Sequence, residues 1–128
     1  MISLILTLLK SKYPAVIWTI IIFVLCTIPG REAAKIFTWS DKISHLLAFA
    51  GFTFFWLSHT PRVFFILISG ILYGTLIELW QSVLSESFQR GFSYLDIAAD
   101  AFGCLIGYII YLIFSRLIVI IEKKSDNS

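Results

Sequence analysis

The chain has 128 residues, 59% of them hydrophobic and 14% charged, against roughly 45–50% apolar and 25% charged in soluble domains. That balance excludes a soluble globular domain and makes lipid the solvent of the outer face, where the twelve phenylalanines need no private core. The net charge of +2 comes from ten Lys and Arg spread along the chain without a basic stripe, which argues against nucleic acid as a partner. Cys26 and Cys104 lie far apart in apolar runs at no metal or redox spacing, and read as small hydrophobes rather than a disulfide.

The opening "MISLILTLL" reads as an interfacial helix or an extension of the first span; Lys10 and Lys12 follow its apolar run instead of preceding it, so a cleaved secretory signal is not expected. The run "FVLC" ending at Cys26 lacks the small residue that lipidation would need. Four apolar segments then approach or exceed the ~20 residues that span ~30 Å of hydrocarbon. They are residues 13–30, bounded by Pro14 and Pro29; residues 43–59, with His45; residues 63–84, with Glu78 and Gln81; and residues 97–121, preceded by Asp96 and carrying Asp100 one turn in. Pro61 marks a tight turn between the second and third. The tail "EKKSDNS", residues 122–128, reads as disordered. The expected fold is all-α: a four-helix transmembrane bundle with short loops over residues 13–121, preceded by residues 1–12 as an N-terminal segment. Trp39, Trp56, Trp80 and His59, near the expected boundaries, read as interfacial belt residues.

Basic residues estimate the orientation, because cytoplasmic flanks are enriched in Lys and Arg. With four spans, one side carries Lys10, Lys12, Arg62, Arg116, Lys123 and Lys124, and the other Arg31, Lys35, Lys42 and Arg90. Six against four places both termini in the cytoplasm and the first and third loops outside.

Whichever side is which, the start of span two, the end of span three and the start of span four share one membrane face. The sequence puts Asp41, Lys42 and His45, then Glu78 and Gln81, then Arg90, Asp96 and Asp100 at that depth. Asp41 and His45 are i,i+4, Glu78 and Gln81 i,i+3, and Asp96 and Asp100 i,i+4, so each pair shares a helix face. Gly70 and Gly74 continue the Glu78 stripe, and Gly103 and Gly107 the Asp100 stripe, in small-xxx-small spacing that lets membrane helices approach closely. The expectation is a glycine-mediated contact between spans three and four, with the polar groups turned inward. Four acids against Lys42 and Arg90 cannot all stay ionised in a dehydrated bundle mouth unless His45 is protonated or a cation is bound. Glu78 is then expected within hydrogen-bond reach of His45, Arg90, Asp96 or Asp100. Plainer readings exist for each group alone: helix-gluing hydrogen bonds for Glu78 and Gln81, a satisfied bundle histidine, a helix cap for Asp96, interfacial anchors for Lys42 and Arg90.

The blocks "DKISHLLAF", "YGTLIELWQ" and "RGFSYLDIAADAFGCLIG" together resemble the VanZ-like family of small bacterial membrane proteins. The matching positions, from 41 to 107, are Asp41, Lys42, His45, Gly74, Glu78, Gln81, Arg90, Asp96, Gly103 and Gly107; the departure is Asp100, where the family usually has asparagine. The resemblance implies a link to glycopeptide (teicoplanin) resistance, and supplies no biochemical activity.

Three functions suit these residues. Lys42 and Arg90 beside an apolar bundle mouth would bind an anionic head group, the phosphate or carboxylate of a cell-envelope lipid or peptide intermediate. His45 or Glu78 as general base, or a metal among Asp41, His45, Glu78, Asp96 and Asp100, would serve an intramembrane hydrolase or transferase. Third, the polar network would only lock the fold of a structural partner protein. There is no H-E-x-x-H, no G-x-S-x-G and no phosphate-binding glycine loop, so binding is preferred to catalysis and no metal or cofactor is assigned.

Overall fold

The computed structural model describes residues 1–29, 41–84 and 92–128. Among these the chain is wholly helical: α1 (Ile2–Lys10), α2 (Tyr13–Thr27), α3 (Asp41–His59), α4 (Val63–Val83) and α5 (Tyr94–Asp126), with no strand.

Local chemistry explains the breaks. After Lys10 the chain turns extended at Ser11, and Pro14 opens the next helix, where its missing N–H costs nothing. The axes of α1 and α2 differ by 61°. Pro61 ends α3 and admits α4 two residues later. Ser93 caps α5, its hydroxyl accepting the backbone N–H of Asp96.

Helices α4 and α5 are long and apolar enough to cross a membrane by themselves, and α1 with α2 pass together as a bent pair. By length and composition that is two spans, or three with the bent pair counted as one, where four were expected. Helix α2, at 15 residues, is about 22 Å long, short of the hydrocarbon thickness. Helix α3 has the length, but Asp41, Lys42, His45 and His59 dilute its apolar character. Helix α5 runs on to Asp126, through the exposed tail that the sequence suggests is solvated or disordered. No Gly or Pro interrupts residues 122–126, and Lys123 and Lys124 in the last turn complement the negative helix end.

Helix α3 is central. Phe49 and Phe52 from α3, Ile22 from α2 and Cys104 from α5 form a buried cluster, flanked by Trp18, Leu67 and Tyr73. The rings of Phe49 and Phe52 lie 5.9 and 5.5 Å from that of Tyr73. Outside this small core, Phe64, Phe65 and Phe102 are more than half exposed, as an apolar solvent allows. Both cysteines are free thiols.

Interhelical hydrogen bonds from amphipathic side chains fasten α2. Trp18 Nε1 donates to the Ala48 carbonyl at 2.8 Å, Tyr73 OH to the Thr19 carbonyl at 2.7 Å and Trp56 Nε1 to Thr19 Oγ1 at 3.0 Å. Trp80 Nε1 reaches Thr27 Oγ1 at 3.1 Å, and His59 Nδ1 the Lys10 carbonyl at 2.9 Å. Trp56, Trp80 and His59, read from sequence as belt residues, thus join helices to one another; Trp39 lies outside the described residues.

Candidate functional site

The N-terminal turns of α3 and α5 meet the C-terminal turn of α4, and the polar residues of all three converge there. His45 is the hub. Its Nδ1 lies 2.8 Å from Asp100 Oδ1, and its Nε2 is 3.9 Å from each of Asp41 Oδ2, Glu78 Oε1 and Asp96 Oδ2. An ionised Asp100 only accepts, so Nδ1 is then the donor and Nε2 is turned to the other three carboxylates. Above the hub, Lys42 Nζ donates to Asp96 Oδ1 at 2.6 Å.

The cluster has a floor and a rim. The side chains of His45, Glu78 and Asp100 are at most 4% exposed, whereas those of Asp41 and Lys42 are about half exposed. Helix register produces this arrangement: Asp41, Lys42 and His45 occupy the first five residues of α3, so the two at the end meet solvent and the third is carried inward.

Glu78 differs from expectation in its partner. Its Oε2 accepts the backbone N–H of Ser93 at 2.9 Å, and no hydrogen bond joins it to His45, Asp96 or Asp100, although His45 stands at ion-pair distance. In a Ser-x-x-acid capping box the acid three residues on reaches back to the cap's N–H. Here "SYLD" supplies the cap and the acid, but Glu78 of α4 takes the N–H and Asp96 is released to Lys42. The sequence reading passed over Ser93, which the capping-box spacing would have revealed, and considered Asp96 itself as the cap.

Gln81 leaves the cluster. It is buried, and its Nε2 donates to the Cys26 carbonyl in the last turn of α2 at 3.0 Å. Arg90 lies outside the described residues. The structure therefore brings together six of the eight expected residues, and directs Gln81 to a helix-joining task.

All four glycines are buried, but their partners correct the expected pairing. A Cβ at Gly74 would meet Asp100 Oδ2 at 2.5 Å, and one at Gly70 the Cys104 sulfur at 2.5 Å, so these two do face α5. Gly103 and Gly107 instead face α3, where a Cβ would run into the carbonyl oxygens of Leu46 and Ala50. The reason is angular: successive helix residues are ~100° apart, so Asp100 and Cys104 look at α4 while Gly103 and Gly107 look at α3. The closest backbone approach of α5 is to α3, and it is this approach that brings His45 against Asp100.

In donor chemistry, His45, Glu78 and Asp100 each offer an atom within 4.8 Å of the others, as do Asp41, His45 and Asp96. Two further observations concern the floor: among the described residues, Glu78 Oε1 and Asp100 Oδ2 are buried without a hydrogen-bond partner. Buried polar atoms are nearly always paired.

A sequence model of the family described as VanZ/LLP1 matches residues 1–115. No curated protein and no solved structure matches the chain.

Proposed function

The chain belongs to the VanZ/LLP1 family, and on that premise we propose that it is a multi-pass protein of the bacterial cytoplasmic membrane that binds the head group of an anionic cell-envelope lipid or peptide intermediate. In this reading α2 to α5 are four crossings of one membrane domain, both termini are cytoplasmic, and the polar cluster opens at the extracytoplasmic face. Support for the crossings comes from direction. Gln81 and Trp80 at the end of α4 bond to Cys26 and Thr27 at the end of α2, so these helices run together, while α3 and α5 start at that same end and run back. At the opposite end α1 lies against the end of α3, through Lys10 and His59.

The single observation that carries the binding reading is the Lys42–Asp96 pair at the half-exposed rim, directly above a buried polar floor. Lys42 meets a phosphate or carboxylate, and the carboxylates beside it accept hydrogen bonds from hydroxyl or amino groups of the same head group. Arg90 is the second basic group assigned to this site. The test is native mass spectrometry of the protein taken from membranes, with the bound lipid scored by head-group class. Retention of anionic lipid that falls in Lys42→Ala and Arg90→Ala supports the reading; retention indifferent to both changes, or to head-group charge, defeats it. A change in teicoplanin susceptibility on deletion is the corresponding cellular test, and a reporter fused after Ser128 tests the orientation.

The His45–Asp100 bond favours a second reading, an intramembrane hydrolase or transferase. A carboxylate on Nδ1 fixes the imidazole and leaves Nε2 as general base toward the rim, with Glu78 beside it. Turnover of a lipid-linked substrate that vanishes in His45→Gln would distinguish it from binding alone.

A further inference from the structure

We propose that His45, Glu78 and Asp100 form a binding site for a divalent transition-metal ion, independent of whether a head group binds at the rim. The first ground is the donor set. One atom from each residue lies within 4.8 Å of the others, and all three residues are buried. His45 Nδ1 and Asp100 Oδ1 stand 2.8 Å apart, a separation that two metal–ligand bonds of about 2.0–2.2 Å span when the ion takes the place of the proton between them.

The second ground is the unmet oxygens. Among the described residues Glu78 Oε1 and Asp100 Oδ2 are buried with no hydrogen-bond partner. Glu78 is oriented through Oε2, which accepts Ser93 N–H, and presents Oε1; Asp100 stands on the Nδ1 side of the imidazole, where an ion meets both the nitrogen and the carboxylate. Lys42, the lysine of the cluster, pairs with Asp96 and not with either of these. A cation at the floor meets both unsatisfied oxygens together, which no single donor in the described structure does.

The third ground is selectivity. One imidazole with two carboxylates favours Mn²⁺, Fe²⁺ or Zn²⁺ over Ca²⁺ or Mg²⁺, which prefer oxygen alone. Asp96 Oδ2 and Asp41 Oδ2, each 3.9 Å from His45 Nε2, stand on the rim side of the imidazole. The ion therefore sits below the Lys42–Asp96 pair.

The experiment uses the full chain in lipid nanodiscs, stripped with a chelator and titrated with Mn²⁺ while free Mn²⁺ is followed by electron paramagnetic resonance. One ion per chain is expected, with the affinity reduced at least about tenfold in Glu78→Gln and in Asp100→Asn and changed less than threefold in His59→Gln, at the opposite end of the bundle. Circular dichroism verifies that the variants are folded. Where they are not, the wild-type complex decides: spin-echo spectra of bound Mn²⁺ should show a directly coordinated imidazole nitrogen, in the parent chain and equally in His59→Gln. Absence of binding, binding undiminished in both folded carboxylate variants, or bound Mn²⁺ without a nitrogen ligand overturns the site.

Discussion

Glu78, on the last turn of α4, accepts the backbone N–H of Ser93, the cap of α5, at 2.9 Å. A side chain from one helix thereby completes the N-terminus of the next, and the orphan donors of a helix start are satisfied across a loop. Glutamine keeps an acceptor at that position and alanine does not. Glu78→Ala should therefore destabilise the protein by about 1–3 kcal/mol more than Glu78→Gln, because the alanine variant strands a buried N–H. Denaturant titration of the two variants in mixed micelles, followed by helical circular dichroism, measures the difference; equal losses would mean that the bond to Ser93 contributes nothing.

Close approach of α5 to α3 depends on two positions without a Cβ. At Gly103 and Gly107 an added methyl meets backbone carbonyls of α3, which cannot turn aside as a side chain would. Gly107→Ala should cost about 1–3 kcal/mol by overpacking, and should also lengthen the His45–Asp100 bond, since the same helix pair carries both. Gly70→Ala, which meets the Cys104 sulfur, is the comparison: pairing it with Cys104→Ala should restore much of its loss, whereas no side-chain deletion should rescue Gly107→Ala. Thermal unfolding of the three variants checks this.

How far these relationships could be read in the sequence depends on angle. The depth of each polar residue follows from helix ends, and i,i+4 spacing puts Asp41 with His45 and Asp96 with Asp100, so the convergence on one membrane face was legible. Which neighbour a face meets was not. Gly103 and Asp100 belong to one stripe by spacing, yet Gly103 packs on α3 while Asp100 lies against both Gly74 of α4 and His45 of α3, because a stripe of three or four steps covers enough of the circumference to touch two partners. Gln81 shows the same effect, sharing a face with Glu78 but reaching α2. The shortness of α2 was hidden because apolar composition continues to Pro29 while helical backbone stops at Thr27.

Lys42 and Asp96 pair at the mouth of the cluster, where about half of the Lys42 side chain is exposed but only 7% of that of Asp96. Removing the lysine leaves a buried carboxylate without its cation, at about 1–3 kcal/mol. Lys42→Ala should therefore lower the unfolding midpoint and reduce retention of anionic lipid, whereas Lys42→Arg, which keeps the cation, should restore most of the stability. A loss of stability in Lys42→Ala with unaltered lipid retention would assign Lys42 to the scaffold instead of the ligand.

His45 and Asp100 are both buried, and their 2.8 Å contact links α3 to α5. Removing one partner leaves the other as an unsatisfied polar group, at about 1–3 kcal/mol and more where the remaining group is charged. Removing both leaves neither group stranded. The sum of the losses in His45→Leu and Asp100→Leu should consequently exceed the loss in the double variant, with a coupling of 0.5–3 kcal/mol as found for residues in direct contact. Leucine at residue 100 brings its own crowding, because Asp100 Oδ2 packs so closely on Gly74 that a Cβ added there would lie 2.5 Å from it. Asp100→Asn with His45→Gln, which preserves volume, is therefore the cleaner cycle, and unfolding in micelles at fixed lipid-to-detergent ratio is the measurement. Additive losses in both cycles would show that the imidazole and the carboxylate act separately, and the hub assigned to His45 would be wrong.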